Sequence, residues 1–196
     1  MHADVCSDVM GRLIVSMNLS LDGHIAAQGQ DDGSWLRIDE KVHRSFNELA
    51  AGADAFLYGR KVYDVMIPYW PDTIEDATKP AHEREYGRLW VDKPKVVFST
   101  SLKETRWNTR VVPTNALDEV ARLKRESNRY LLCYGGSQFV SALQQRRLVD
   151  EYALFVHPCA VGTGVPFFRQ RVELRLVDVH RFETGVLALR YAAAGE

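Results

Sequence analysis

An excess of either charge is the first thing this sequence lacks. Its 196 residues carry 25 Lys and Arg against 26 Asp and Glu, a formal net charge of −1. That balance supplies neither a basic footprint for nucleic acid nor a polybasic membrane signal. Cysteine is scarce too: Cys6, Cys133 and Cys159 are three in number, far apart and without a C-x-x-C pair. They form neither a disulfide framework nor a metal cluster, and reduced thiols in a cytoplasmic protein are the expectation. No apolar run approaches the roughly 18 residues of a membrane helix. Residues 1–10 carry Asp4 and Asp8 and lack the basic-then-apolar order of a signal peptide. They read as a loose tail ahead of one domain over 11–196. Linkers, repeats and low-complexity tracts are missing as well. What remains, 46% hydrophobic and 26% charged residues, is ordinary for a globular chain and excludes disorder.

Periodicity then places the elements. Residues 13–17 (Leu-Ile-Val-Ser-Met) predict a buried strand. Residues 20–38, rich in glycine and aspartate, predict a long loop of the kind that is usually functional. Asp39 reads as the N-cap of a helix carrying Val42, Phe46, Leu49 and Ala50, ending near Gly52. Strands are expected at 53–58, 95–98, 110–112, 129–134 and 151–157, and helices within 61–66, 79–90, 117–124 and 139–143. Residues 67–77 read as loop. Two strands near 173–182 and 186–192 flank Glu183-Thr184-Gly185 as a hairpin. Alternating strands and helices imply parallel pairing with helices on both sheet faces, and the closing hairpin implies an antiparallel edge.

Ligands of such sheets bind at the carboxyl ends of the parallel strands. Gly135-Gly136 follows a strand and opens a helix, so backbone can approach a phosphate. Gly59-Arg60 does the same and adds a guanidinium fork. Ser99-Thr100 ends a third strand with two hydroxyls. Taken alone, the glycines and hydroxyls read as turn chemistry and Arg60 as a surface charge; together they suit a phosphorylated dinucleotide.

The order and spacing of these segments resemble a known family. Residues 13–26 (Leu-Ile-Val-Ser-Met-Asn-Leu-Ser-Leu-Asp-Gly-His-Ile-Ala) look like the first strand and loop of the dihydrofolate reductase superfamily. The branch most resembled holds the C-terminal reductase domain of the bacterial riboflavin-biosynthesis deaminase-reductase. Residues 58–63, 95–99, 135–139, 148–152 and 158–168 continue the match, which runs from about Gly11 to Tyr191. The resemblance implies an α/β, dihydrofolate reductase-like, three-layer αβα fold with a mixed, mostly parallel sheet and an antiparallel C-terminal edge. It also implies NADPH as cofactor and a homodimer. By position, Arg60, Ser99 and Thr100 would hold the 2′-phosphate end, with Gly59 and Lys61 also among the cofactor-binding residues. Gly135, Gly136, Ser137 and Gln138 would cradle the diphosphate, and Asn18 and Ile25 would border the nicotinamide. Val62 stands where the family usually has threonine.

Hydride transfer needs positioning more than a strong acid. Trp35 in the 20–37 loop, Tyr69, Trp70 and Gly162 are the candidates for contacting a flat substrate. Asp22 is the candidate catalytic residue, binding substrate or relaying a proton through water; His24 could do the latter. His157, before Pro158, fits either a structural or a ligand-facing role. The expected function is reduction of a small heterocyclic C=N or C=O compound, the riboflavin-pathway ribosylamino-pyrimidine being one. The alternatives are a non-catalytic nucleotide-binding or regulatory protein on this fold, and a serine hydrolase using Ser137. The latter's Gly135–Phe139 segment is one glycine short of a nucleophile elbow.

Overall fold

Bulky apolar side chains alternate along the central strands, and that alternation decides the layers. The computed structural model describes residues 11–29 and 33–194; the expected tail at 1–10 lies outside them, as do Asp31 and Asp32 of the long loop. Among the described residues, ten strands and six helices occur in the order β1 (Arg12–Ser20), β2 (His24–Ala27), α1 (Glu40–Gly52), β3 (Ala55–Gly59), α2 (Arg60–Met66), α3 (Trp70–Thr73), α4 (Ala81–Asp92), β4 (Lys95–Phe98), β5 (Thr109–Val112), α5 (Ala116–Glu126), β6 (Tyr130–Cys133), α6 (Ser137–Gln145), β7 (Glu151–His157), β8 (Gly164–Pro166), β9 (Leu174–Arg181) and β10 (Leu187–Ala193).

Leu13, Val15, Leu57, Leu131 and Cys133 face α5 and α6, whose Val120, Val140 and Leu143 are fully buried against them. Ile14, Phe56, Tyr58 and Leu132 point the other way, into a layer rich in rings: Tyr63, Tyr86 and Trp90. One sheet face is thus aliphatic and the other aromatic. Burial pushes the Cys133 thiol up to about 12, so this cysteine is a packing residue.

The main sheet runs β5-β4-β3-β6-β1-β7-β10-β9. Neighbours from β5 to β7 pair in parallel, while β10 pairs antiparallel with both β7 and β9. This is the dihydrofolate reductase-like arrangement, with helices on both faces and an antiparallel C-terminal edge. Asp39 caps α1 as expected, its side chain accepting from the Val42 N–H at 2.8 Å.

Two expected loops hold structure. Within 20–38, β2 pairs with β8 in a separate two-stranded sheet. A Cβ at Gly164 would lie 2.0 Å from the Ala26 carbonyl oxygen, so only glycine lets these ribbons meet. Within 67–77, Pro71 starts rather than breaks a short helix, because a first-turn position needs no N–H.

Candidate active site

Four neighbouring parallel strands end on one edge of the sheet. In spatial order β4, β3, β6 and β1, the first three ends carry Ser99, Gly59-Arg60 and Gly135-Gly136, and Asn18 lies two residues before the end of β1. The three adjacent strand ends expected from sequence are brought together. The Gly59 N–H donates to the Gly135 carbonyl at 2.8 Å, tying two turns to each other. Gly135 holds φ +74°, and a Cβ there would sit 3.0 Å from both Met17 Cε and Val140 Cγ2. Gly136 caps α6 without a side chain, and a Cβ on it would meet nothing within 4 Å. The first N–H groups of α6 have no intrahelical partner and no side chain caps them, and the space beside Gly136 is open. Such a place suits a phosphate oxygen.

The other members of this row are placed less simply. Arg60 Nε bonds Asp64 at 2.6 Å and Nη1 reaches Ser101 Oγ at 3.4 Å, so the guanidinium leans across toward the end of β4. An exposed i,i+4 pair of this kind holds it only weakly. Ser99 Oγ accepts from the Ser101 and Leu102 N–H groups at 3.2 and 3.1 Å and so builds its own turn. Lys61, Thr100 and Gln138 are exposed, while Ser137 is buried.

Beside the row opens a cavity of about 480 Å³. Asn18, Ile25, Tyr134 and Gly136 form its sheet side; His43 and Phe46 enter from α1, and Glu83 and Tyr86 from α4. Tyr69 and Trp70, expected at the substrate, line it. Trp70 lies 4.4 Å from Tyr86 between ring centroids. The Tyr86 hydroxyl donates to that of Tyr134 at 2.8 Å, and Tyr134 stacks on Tyr58. Burial holds both cavity phenols above their usual pKa, so they stay protonated. Tyr134, having accepted from Tyr86, keeps its own proton to donate.

Asn18 is oriented from behind by His157. The Arg37 N–H donates to His157 Nδ1 at 2.9 Å, so the ring proton sits on Nε2 and points at Asn18 Oδ1, 3.0 Å away. The Asn18 amide oxygen is therefore turned back into the protein, leaving its NH₂ for the cavity. His157 is fully buried, and burial with the nearby Arg37 lowers its pKa to about 4. With both ring nitrogens engaged, His157 cannot serve as base to Ser137.

Three expected site residues take other positions. Asp22 does not line the cavity. Its carboxylate accepts from Ser20 Oγ at 2.6 Å and from the Val161 and Gly162 N–H groups at 3.1 and 2.8 Å. These bonds hold its pKa well below the usual carboxylate range. It is a clamp on the 159–164 turn and carries no proton at neutral pH. Gly162 is the other half of that clamp, at φ +76°. Trp35 is buried, edge-on to His157 at 5.6 Å, and anchors its loop instead of lining the cavity.

Sequence reasoning missed His43, Glu83, Tyr86 and Tyr134. One signal was present: His43 and Asn47 are polar residues four apart on a helix, and both are buried.

The family model of the RibD C-terminal domain matches residues 12–188. An uncharacterized protein, YyaP of Bacillus subtilis (strain 168), is 33% identical over 184 residues, covering 92% of this chain and 94% of that protein. Among solved structures, a candidate riboflavin biosynthesis protein from Shewanella sp. PV-4 aligns with TM-score 0.70 at 21% identity, over 94% of this chain and 99% of its own. A Thermotoga maritima diaminohydroxyphosphoribosylaminopyrimidine deaminase/5-amino-6-(5-phosphoribosylamino)uracil reductase aligns with TM-score 0.64 at 16% identity, over 94% of this chain and 57% of its own.

Proposed function

The chain belongs to the RibD C-terminal domain family, and on that premise we propose that it is an NADPH-dependent reductase of a small, flat C=N or C=O compound. One observation carries the reading. The open glycine turn at the start of α6 and the aromatic cavity adjoin at Asn18, Ile25 and Gly136. A dinucleotide along the strand ends would bring its reactive ring to the cavity wall.

The residues present fit that cofactor. The uncapped first turn of α6, with Gly135 and Gly136, would take the diphosphate, and Arg60 with the Ser99–Ser101 turn would take the 2′-phosphate. When bound, the reduced nicotinamide supplies a hydride. The chain orients and dries the site. Asn18, fixed by His157, offers an N–H to the ring's amide or to the substrate. The rings of Phe46, Trp70 and Tyr86 hold a planar acceptor in line, where transfer needs the reacting atoms about 3 to 3.5 Å apart. The Tyr134 hydroxyl donates toward the acceptor's nitrogen or oxygen as charge develops there. The proton that ends on that atom comes from solvent. Asp22, already ionised and tied to the backbone, acts by fixing the loop.

The pyrimidine named for the Thermotoga protein is one candidate substrate. We further propose a cytoplasmic homodimer whose reductase domain spans residues 11–196. Edge strand β9 leaves Leu176, Val177 and Val179 about half exposed, a surface suited to a second copy. No helix among the described residues is long and apolar enough to cross a membrane. Steady-state oxidation of NADPH against a panel of flat imines and ketones tests the reading. Turnover with at least one supports it. Cofactor fluorescence that shifts without turnover across the panel would favour a binding protein.

A further inference from the structure

We infer that His43 selects the substrate: it is locked as the Nδ1–H tautomer and offers the lone pair of Nε2 to a ring that brings an N–H donor. This rests on the reductase reading for what the cavity holds and adds which molecules it accepts.

The lock follows from hydrogen-bond roles alone. Asn47 Nδ2 lies 2.9 Å from the His82 carbonyl oxygen. A carbonyl only accepts, so the Asn47 amide must present its NH₂ there and turn Oδ1 the other way. Oδ1 then lies 3.1 Å from His43 Nδ1. It too only accepts, so Nδ1 must carry the proton. In a neutral ring the remaining nitrogen is bare.

The surroundings keep the ring neutral and its lone pair unspent. His43 is 7% exposed. Phe46, Trp70 and Tyr86 each lie 5.8 Å away between ring centroids, and His82 lies at 4.8 Å. Burial, with His82 close by, lowers its pKa, and Glu83 opposes only in part. Among the described residues Nε2 has no hydrogen-bond partner, and His43 is one of the residues that line the cavity. A desolvated acceptor rejects ligands that cannot donate to it.

The other polar groups agree. Glu83 lines the same cavity, and its Oε2 accepts from the Tyr69 hydroxyl at 2.8 Å. Lys79 sits over the Tyr69 ring at 4.9 Å and bonds the same hydroxyl. Among the described residues, no Lys or Arg lines the cavity. The helix side of the cavity is therefore rich in acceptors and poor in anion partners. It fits an amino- or imino-substituted flat ring without a phosphate on the part it encloses.

Nitrogen-detected NMR of the histidine side chains in the full chain tests this, with 2,4-diaminopyrimidine and unsubstituted pyrimidine as probes. The two share a ring, and only the first has N–H donors. His43 should show the Nδ1–H tautomer in the free protein. The diamine should move its Nε2 resonance toward a hydrogen-bonded position, and pyrimidine should not. The diamine should bind about tenfold more tightly, a preference that falls to about twofold or less in His43→Phe. An Nε2–H tautomer, an equal response to both probes, or no binding of the diamine up to its solubility overturns the inference. NADPH is titrated into the same sample. No NADPH binding alongside the expected His43 signals would sink the reductase reading and leave the selector. NADPH binding with the wrong tautomer would sink the selector alone.

Discussion

The two halves of the site are made of different material. The strand-end half is backbone: Gly135 at a positive φ, Gly136 with no side chain, and uncapped amides at the start of α6. The cavity half is side chains, with rings and hydroxyls sent from β1, α1, α4 and the end of β6. The backbone half is tied to the fold where its glycines are packed, as at Gly135, and it recognises what every dinucleotide shares. A side-chain half can be rewritten one residue at a time on the same scaffold. The first should resemble its relatives' and the second should be particular to this chain.

The largest effect expected from breaking the backbone half comes from Gly135→Val. It combines a strained φ with contacts at 3.0 Å to Met17 and Val140, and should cost about 3 kcal/mol in denaturant unfolding and abolish NADPH binding. Stability within about 0.5 kcal/mol of the parent would contradict the packing described.

The join between the halves is tested by pH. His157 titrates at about 4 when folded against an ordinary 6.5, so the unfolded chain takes up the proton first. Its contribution is complete above pH 6.5, is lost as pH falls toward 4, and is flat below. The full loss is about 3 kcal/mol, and His43, lowered in the same direction, adds to it. Unfolding followed by circular dichroism across that window should show the slope, and His157→Gln should reduce it to the part that His43 supplies. A parent protein equally stable at both ends would remove the neutral imidazole from the account.

Gly136→Ala separates binding from folding within the backbone half. Its Cβ would enter open space, so stability should hold to about 0.5 kcal/mol while NADPH affinity falls about tenfold. Unchanged affinity by calorimetry would mean that the phosphate sits elsewhere. The smallest effect is Arg60→Ala, which should weaken NADPH about fivefold and NADH little. Equal losses would strip Arg60 of its role.

The same division explains what could be read in advance. Strand, glycine turn and helix start lie within a few residues of one another, so Gly59-Arg60 and Gly135-Gly136 are visible as local patterns, and short apolar runs such as 151–157 coincide with β7. The cavity is non-local: His43, Glu83 and Tyr134 come from three elements, and nothing near any of them in the chain points to the others. β2 stayed hidden because its partner β8 lies far along the chain. Asp22 and Trp35 sit in a loop whose composition suggests chemistry, yet tertiary contacts with Gly162 and His157 give them structural work.

A crystal structure of the chain soaked in saturating NADPH bears most directly on the central claim, that backbone at the β3 and β6 ends and the aromatic cavity serve one cofactor and one substrate. The account predicts diphosphate density against the first turn of α6, the 2′-phosphate at Arg60, and the nicotinamide between Asn18 and Ile25 with one face toward the cavity. A nucleotide bound away from Gly135-Gly136, or none in crystals with that edge open to solvent, would contradict it.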